Sequence, residues 1–154
     1  MHCIVIATDG SETADRAIDF AANLAARLGA DLVLTHVVSS STLSASPTSR
    51  GHPQPDLTAM GRVENVAISE VLTDTASDIL DKARDRAMAR GARHVESEIR
   101  AGSPAETIVA VAQEHQAEAI VLGRRGRGRL AGLLLGSVSQ QVATMAHCPV
   151  ILIP

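Results

Sequence analysis

Two hydrophobic periods alternate along the chain. Cys3-Ile4-Val5-Ile6-Ala7-Thr8 is a near-continuous apolar run rich in β-branched residues, the pattern of a strand covered on both faces. Ala14, Ala17, Ala21, Leu24 and Leu28 then recur at helical spacing, and Gly29 follows where a C-terminal cap belongs. Leu32 to Val38 forms a second apolar run. Ser39 to Gln54 (SSSTLSASPTSRGHPQ) is polar and rich in Ser and Pro, which predicts a mobile loop across about 39–62. Ile68, Leu72, Ile79, Ala83 and Ala87 mark a long second helix that starts between Asp56 and Glu64 and ends before Gly91. His94 to Arg100 alternates as a third strand. Ser103-Pro104-Ala105-Glu106 is a helix start, with Ser103 as cap, Pro104 at the first helical position and Glu106 closing a capping box. Ala119 to Leu122 is a fourth strand, Val138, Val142 and Met145 give a last amphipathic helix, and Pro149 to Ile153 a final strand.

Strands alternating with helices predict an α/β fold, a single doubly wound, Rossmann-like domain with a parallel sheet and helices on both faces. Ligands of such folds sit beyond the carboxyl ends of the strands, where the strand order reverses. Two segments qualify: the Thr8-Asp9-Gly10-Ser11 turn and the Gly123–Ser137 loop.

Composition narrows the function. The 154 residues suit one domain over 1–154, large enough for a core without disulfides or metals. Phe20 is the only aromatic residue, so there is no platform for stacking nucleic-acid bases. A net charge of −3 and a pI near 6.0 argue against nucleic acid as a partner. No apolar run approaches about 20 residues, which argues against a membrane span. MHCIVIATDG has no basic n-region, so the expected location is cytoplasmic. Cys3 and Cys148 form no CxxC pair, and the histidines show no zinc-ligand spacing, so no dedicated metal site is expected.

Residues 123–139 (GRRGRGRLAGLLLGSVS) carry the candidate chemistry. Gly123, Gly126, Gly128, Gly132 and Gly136 allow close backbone approach. Arg124, Arg125, Arg127 and Arg129 supply positive charge, and no Asp or Glu follows Glu118. Ser137 and Ser139 offer hydroxyls, and the loop feeds a helix N-terminus, a ready anion site. For any one arginine, solvation on a surface loop is the better reading, and Ser137 alone is an ordinary helix cap. The ensemble favours a phosphate cradle. GxxxxGK[ST] is absent and Lys82 is the only lysine, which excludes a P-loop NTPase. Gly126-Arg127-Gly128-Arg129-Leu130-Ala131 fits GxGxxG/A but follows the fourth strand and lacks a downstream acid for a ribose, so the dinucleotide fingerprint is rejected.

The spacing that fits without a gap is Gly-x2-Gly-x9-Gly-[Ser/Thr], at Gly123, Gly126 and Gly136-Ser137. With Ala7-Thr8-Asp9-Gly10-Ser11, His36-Val37, Gly102-Ser103-Pro104 and His147-Cys148-Pro149-Val150, it resembles the nucleotide-binding branch of the universal stress protein family over nearly the whole chain. The resemblance implies a five-stranded sheet in the order 3-2-1-4-5. It implies that Asp9 and the main chain of Ala7 and Thr8 hold a nucleoside, with Val37 reading adenine through its backbone. Leu122 and Gly123 would lie against the ribose, and Gly126, Gly136, Ser137, Val138 and Ser139 would wrap the phosphates. Arg124 stands where the family often has a small polar residue, and would either contact phosphate or crowd the ribose. The implied ligand is ATP, or AMP or ADP, with Mg²⁺ or Mn²⁺ riding on the phosphates. The last strand, Val150-Ile151-Leu152-Ile153, would be an exposed apolar edge, and the resemblance implies a homodimer through it.

For single residues the ordinary roles are an Asx turn for Asp9, a helix cap for Ser11, a satisfied structural histidine at His36, and buried, inert thiols on the first and last strands. No carboxylate or lysine in the loop supplies a general base. The expected function is therefore an ATP-binding stress-response or signalling module with at most slow hydrolysis, acting on a protein partner that the residues do not name. Two alternatives stay open: a genuine ATPase with Asp9 orienting water, and a nucleotide-free protein-interaction module of the same fold.

Overall fold

A computed structural model describes residues 3–39, 60–126 and 135–154. The elements run β1 (Cys3–Ala7), α1 (Glu12–Leu28), β2 (Asp31–Ser39), α2 (Met60–Ala89), β3 (Val95–Gly102), α3 (Pro104–Glu114), β4 (Ala119–Gly123), α4 (Ser137–Met145) and β5 (Val150–Ile153). The five strands form one parallel sheet in the order β3-β2-β1-β4-β5. The predicted fold class and strand order are those observed.

The two-faced burial of the central strands explains their unbroken apolar runs. Ile4, Ile6, Leu32, Leu34 and Val121 turn to one face and pack with Ala17, Ile18 and Ala21 of α1 and Leu80, Ala83 and Ala87 of α2. Cys3, Val5, Val33, Ile120 and Leu122 turn to the other, against Ala105, Ile108 and Ala112 of α3 and Val142 of α4. Alanine dominates the inner side of α1, which lets this helix lie close on the sheet. Its start is capped by the Ser11 hydroxyl, which accepts from the Ala14 N–H at 3.3 Å, and Gly29 closes its end in the left-handed conformation.

Several boundaries differ from the sequence-based expectation. β1 stops at Ala7, and Thr8 already belongs to the turn; β3 runs on to Gly102; β5 begins at Val150, so Pro149 and Cys148 precede it. Cys148 therefore lies off the last strand and is only half-buried, whereas Cys3 is buried. Burial raises both thiol pKa values, aided at Cys3 by the charges of Asp31, Glu96 and Glu118, so both sulfurs stay protonated. Ser103 holds the N-cap position of α3 without a side-chain cap hydrogen bond; its carbonyl instead accepts from the Thr107 N–H at 2.9 Å. At α4 the cap is Gly136 and Ser137 is the first helical residue, so Ser137 is not the cap. The expected 39–62 loop is trimmed at both ends, since Ser39 closes β2 and 60–62 open α2; residues 40–59 lie outside the described residues, as do Arg127 and Arg129.

Candidate functional site

Between β1 and β4 the order of the sheet reverses, and there the chain leaves both strands to opposite sides. Three segments converge on this point: the turn after β1, the carboxyl end of β2, and the two ends of the glycine-rich loop after β4. They enclose a cleft of about 480 Å³, within the usual size of a small-molecule site. Ala7, Thr8, Asp9, Val37, Leu122, Gly123, Gly126, Gly136, Ser137, Val138 and Ser139 all line it. Arg124, also expected there, does not. Ala14, His36, Pro104, Ile108, Arg125 and Leu135 complete the lining and were not among the expected site residues.

The turn after β1 is built by side-chain hydrogen bonds to its own backbone. Asp9 Oδ1 accepts from the Ser11 N–H at 3.0 Å, the Asx turn expected of it, and the Thr8 hydroxyl accepts from the Gly10 N–H at 3.2 Å. His36 is the structural histidine expected: its Nδ1 lies 2.7 Å from the Thr8 carbonyl. A carbonyl only accepts, so Nδ1 carries the proton. The last rung between β1 and β2 is the Thr8 N–H to the Thr35 carbonyl, at 3.0 Å. Alternate residues of a parallel strand direct their N–H and C=O to the same neighbour. Val37, two residues beyond Thr35, therefore turns both groups to the side of β1 where β1 has ended.

The loop after β4 is pinned at its stem. The Arg124 N–H donates to the Ile153 carbonyl at 2.6 Å, and the Arg124 carbonyl accepts from the Gly136 N–H at 2.9 Å. The Ser139 hydroxyl, buried, donates to the Gly123 carbonyl at 2.9 Å. One residue on, the Arg125 carbonyl accepts from the Thr13 hydroxyl, which ties the loop to the first turn of α1. These bonds need glycine beside them. A Cβ at Gly123 would lie 2.9 Å from the Thr13 carbonyl carbon, and one at Gly126 only 2.5 Å from Asp9 Oδ2. The glycine spacing read in the sequence thus includes two close approaches, Gly123 to α1 and Gly126 to the Asp9 carboxylate.

The cleft combines polar groups with apolar surface. Its polar groups include the Asp9 carboxylate, the Val37 backbone and the start of α4, where Gly136 offers no capping side chain and the first N–H groups stay available to a ligand. Ala7, Val37, Ile108, Leu122, Leu135 and Val138 supply the apolar surface. Asp9 and Arg125 are the fixed charges among the described lining residues.

Comparison with known proteins agrees with this architecture. The chain matches the Universal stress protein family over residues 1–154. It is 35% identical to a universal stress protein of Methanocaldococcus jannaschii, over 97% of this chain and 80% of that one. A universal stress protein solved in complex with cAMP superposes with a TM-score of 0.71 and 29% identity, covering 99% of this chain and 97% of the other. The universal stress protein from Archaeoglobus fulgidus in complex with dAMP superposes with a TM-score of 0.66 and 26% identity, covering 100% and 98%.

Proposed function

The chain belongs to the universal stress protein family, and on that premise we propose that its cleft binds an adenine nucleotide, ATP above all, as a nucleotide-dependent stress-response or signalling module. The observation that carries this reading is the convergence of an adenine-sized backbone edge and an anion-binding helix start in one cleft. Adenine offers an amino donor beside a ring-nitrogen acceptor. Val37, with both backbone groups turned to the open side of β2, complements that pair through its C=O and N–H. Asp9 and the main chain of Ala7 and Thr8 hold the nucleoside, and Leu122 and Gly123 lie against the ribose. Gly126, Gly136 and the N–H groups of Ser137, Val138 and Ser139 take the phosphates; the Ser139 hydroxyl is already given to Gly123. Mg²⁺ or Mn²⁺ arrives on the phosphates. Relatives of the same fold hold cAMP and dAMP, which supports an adenine ligand.

Hydrolysis is slow at most in this reading. Asp9 is the one carboxylate among the described lining residues, and its oxygens are engaged with the Ser11 N–H and pressed against Gly126. It is therefore poorly placed to orient an attacking water. Such a site belongs in the cytoplasm, where adenine nucleotides are abundant. The functional unit is a homodimer joined through the β5 edge, Val150–Ile153.

The test is to acid-quench the freshly purified chain, with and without prior Mg-ATP, and to identify the released nucleotide by chromatography. Close to one adenine nucleotide per chain is expected, with ATP recovered unhydrolysed. Neither retained nucleotide nor any calorimetric heat on titrating ATP would overturn the reading. Rapid conversion to ADP that is lost in Asp9→Asn would replace it with the ATPase.

A further inference from the structure

We infer that Arg125 is the residue that selects the ligand by its phosphate charge, favouring an adenine nucleotide with a linear polyphosphate over a cyclic monophosphate or the neutral nucleoside. The inference rests on the adenine-nucleotide reading of the cleft. Two adjacent arginines enter the loop, and charge alone does not tell them apart. The backbone does. Arg124 spends its N–H on Ile153 and its carbonyl on Gly136, so it is part of the stem that joins the loop to β5, and it does not line the cleft. Arg125 sits one residue further on, with its carbonyl held by the Thr13 hydroxyl, and does line it.

Its setting gives that charge weight. Arg125 is half-buried, and the described lining around it is glycine, aliphatic or neutral apart from Asp9, with His36 the other titratable group. Asp9 is tied into the turn through Ser11 and abuts Gly126. A cation in a partly desolvated wall interacts with an anion far more strongly than one on an open surface. The guanidinium also presents a planar fork that matches two phosphate oxygens. The N–H groups at the start of α4 accept any anion, whether singly or multiply charged. Arg125, whose Cα would lie 3.5 Å from a Cβ on Gly136 at the start of that helix, adds a guanidinium whose attraction grows with the charge on the phosphate chain, and so discriminates between ligands of one base.

Calorimetry on the full chain with adenosine, cAMP, ATP and inorganic tripolyphosphate tests this, using wild type, Arg125→Gln, Arg125→Lys and Arg124→Gln. In Arg125→Gln the affinities for ATP and tripolyphosphate should fall roughly ten- to hundredfold, the scale of a hydrogen bond to a charged group, while adenosine binding changes less than about twofold. Arg125→Lys should recover part of the loss, and Arg124→Gln should leave the ratio of ATP to adenosine affinity near wild type. Unchanged discrimination in Arg125→Gln, an equal loss for adenosine, or a loss that follows Arg124 would overturn the inference. If the wild type binds tripolyphosphate through Arg125 but no adenine compound, the adenine reading falls and the phosphate role of Arg125 stands. If the wild type binds none of the four ligands, both fall.

Discussion

At the scale of single residues, the glycines of the loop do different work although their spacing treats them alike. A Cβ at Gly123 meets backbone, the Thr13 carbonyl carbon at 2.9 Å and the Ala14 nitrogen at 3.0 Å, and neither can give without moving α1. Gly123→Ala should therefore destabilise the free protein by about 1–3 kcal/mol in urea unfolding. At Gly136 the nearest atom is 3.5 Å away, ordinary contact, so Gly136→Ala should leave the stability of the free protein within about 0.5 kcal/mol. Gly126 is the intermediate case. Its added methyl would meet the Asp9 carboxylate at 2.5 Å and displace it from the Ser11 N–H. Gly126→Ala should weaken ATP binding roughly tenfold by calorimetry, about 1.4 kcal/mol. Equal melting temperatures for all three variants would refute this division. The spacing of these glycines was legible in the sequence, but their separate reasons were not. Those reasons lie in Thr13 and Asp9, more than a hundred residues away along the chain. Sequence separation also hid the difference between Arg124 and Arg125, which is set by the Arg124 N–H donating to the Ile153 carbonyl and the Arg125 carbonyl accepting from the Thr13 hydroxyl.

At the scale of elements, the sheet was readable where both faces are covered and less so where they are not. β1, β4 and the Leu32–Leu34 stretch of β2 are apolar without a polar break because helices cover each side. β3, at the edge, is partly exposed along its length, and its last two residues escaped the pattern. What joins α1 to α2 was not legible at all. The Asp19 carboxylate accepts from Arg86 Nε and Nη2, both at 2.7 Å, and from Arg90 Nε and Nη2, both at 3.0 Å. Hydrogen bonding from Arg86 is the main cause that holds the Asp19 carboxyl below its ordinary pKa, against a smaller opposing effect of burial. A depressed carboxyl pKa means that the folded state favours the ionised form. The stabilisation is then fully present above the unfolded pKa of about 3.9 and is lost as pH falls through the lower folded value. Asp19→Asn should cost about 1–2 kcal/mol at pH 7, because the network is bidentate though partly solvated. The gap between variant and wild type should hold down to about pH 4 and close below it. A gap in urea unfolding that is the same at pH 7 and pH 2.5 would show that the clamp acts through packing and not through charge.

At the scale of the whole molecule, the candidate cleft and the proposed dimer edge are linked through the loop stem, which is bonded to β5. Ile153 accepts from Arg124 in the loop stem, and the Pro154 carbonyl accepts from Arg16 of α1 at 3.1 Å, so the end of the chain is held against the side of the site. An apolar last strand could be seen in the sequence; which of its groups face outward required the phase of the ladder. The Pro149 and Ile153 carbonyls bond to β4, so by alternation Val150 and Leu152 turn their N–H and C=O to the outer edge. An uncovered apolar edge pairs readily with another copy of itself, and two copies related by a two-fold axis would extend both sheets into one. Proline is tolerated in an edge strand where its nitrogen faces outward, because no internal bond is lost. Leu152→Pro should then leave the β4–β5 ladder in place while removing an outward N–H from the edge. Light scattering at micromolar concentration should find the wild type at twice the 16.0 kDa chain mass and Leu152→Pro at the single-chain mass. A monomeric wild type would rule out the β5 dimer. A variant that stays dimeric would place the contact elsewhere on the surface. If this link couples the two functions, the monomeric variant should also bind ATP more weakly than the wild type, because an unsupported β5 holds the Arg124 stem less firmly. Unchanged affinity in a monomeric Leu152→Pro would separate nucleotide binding from assembly.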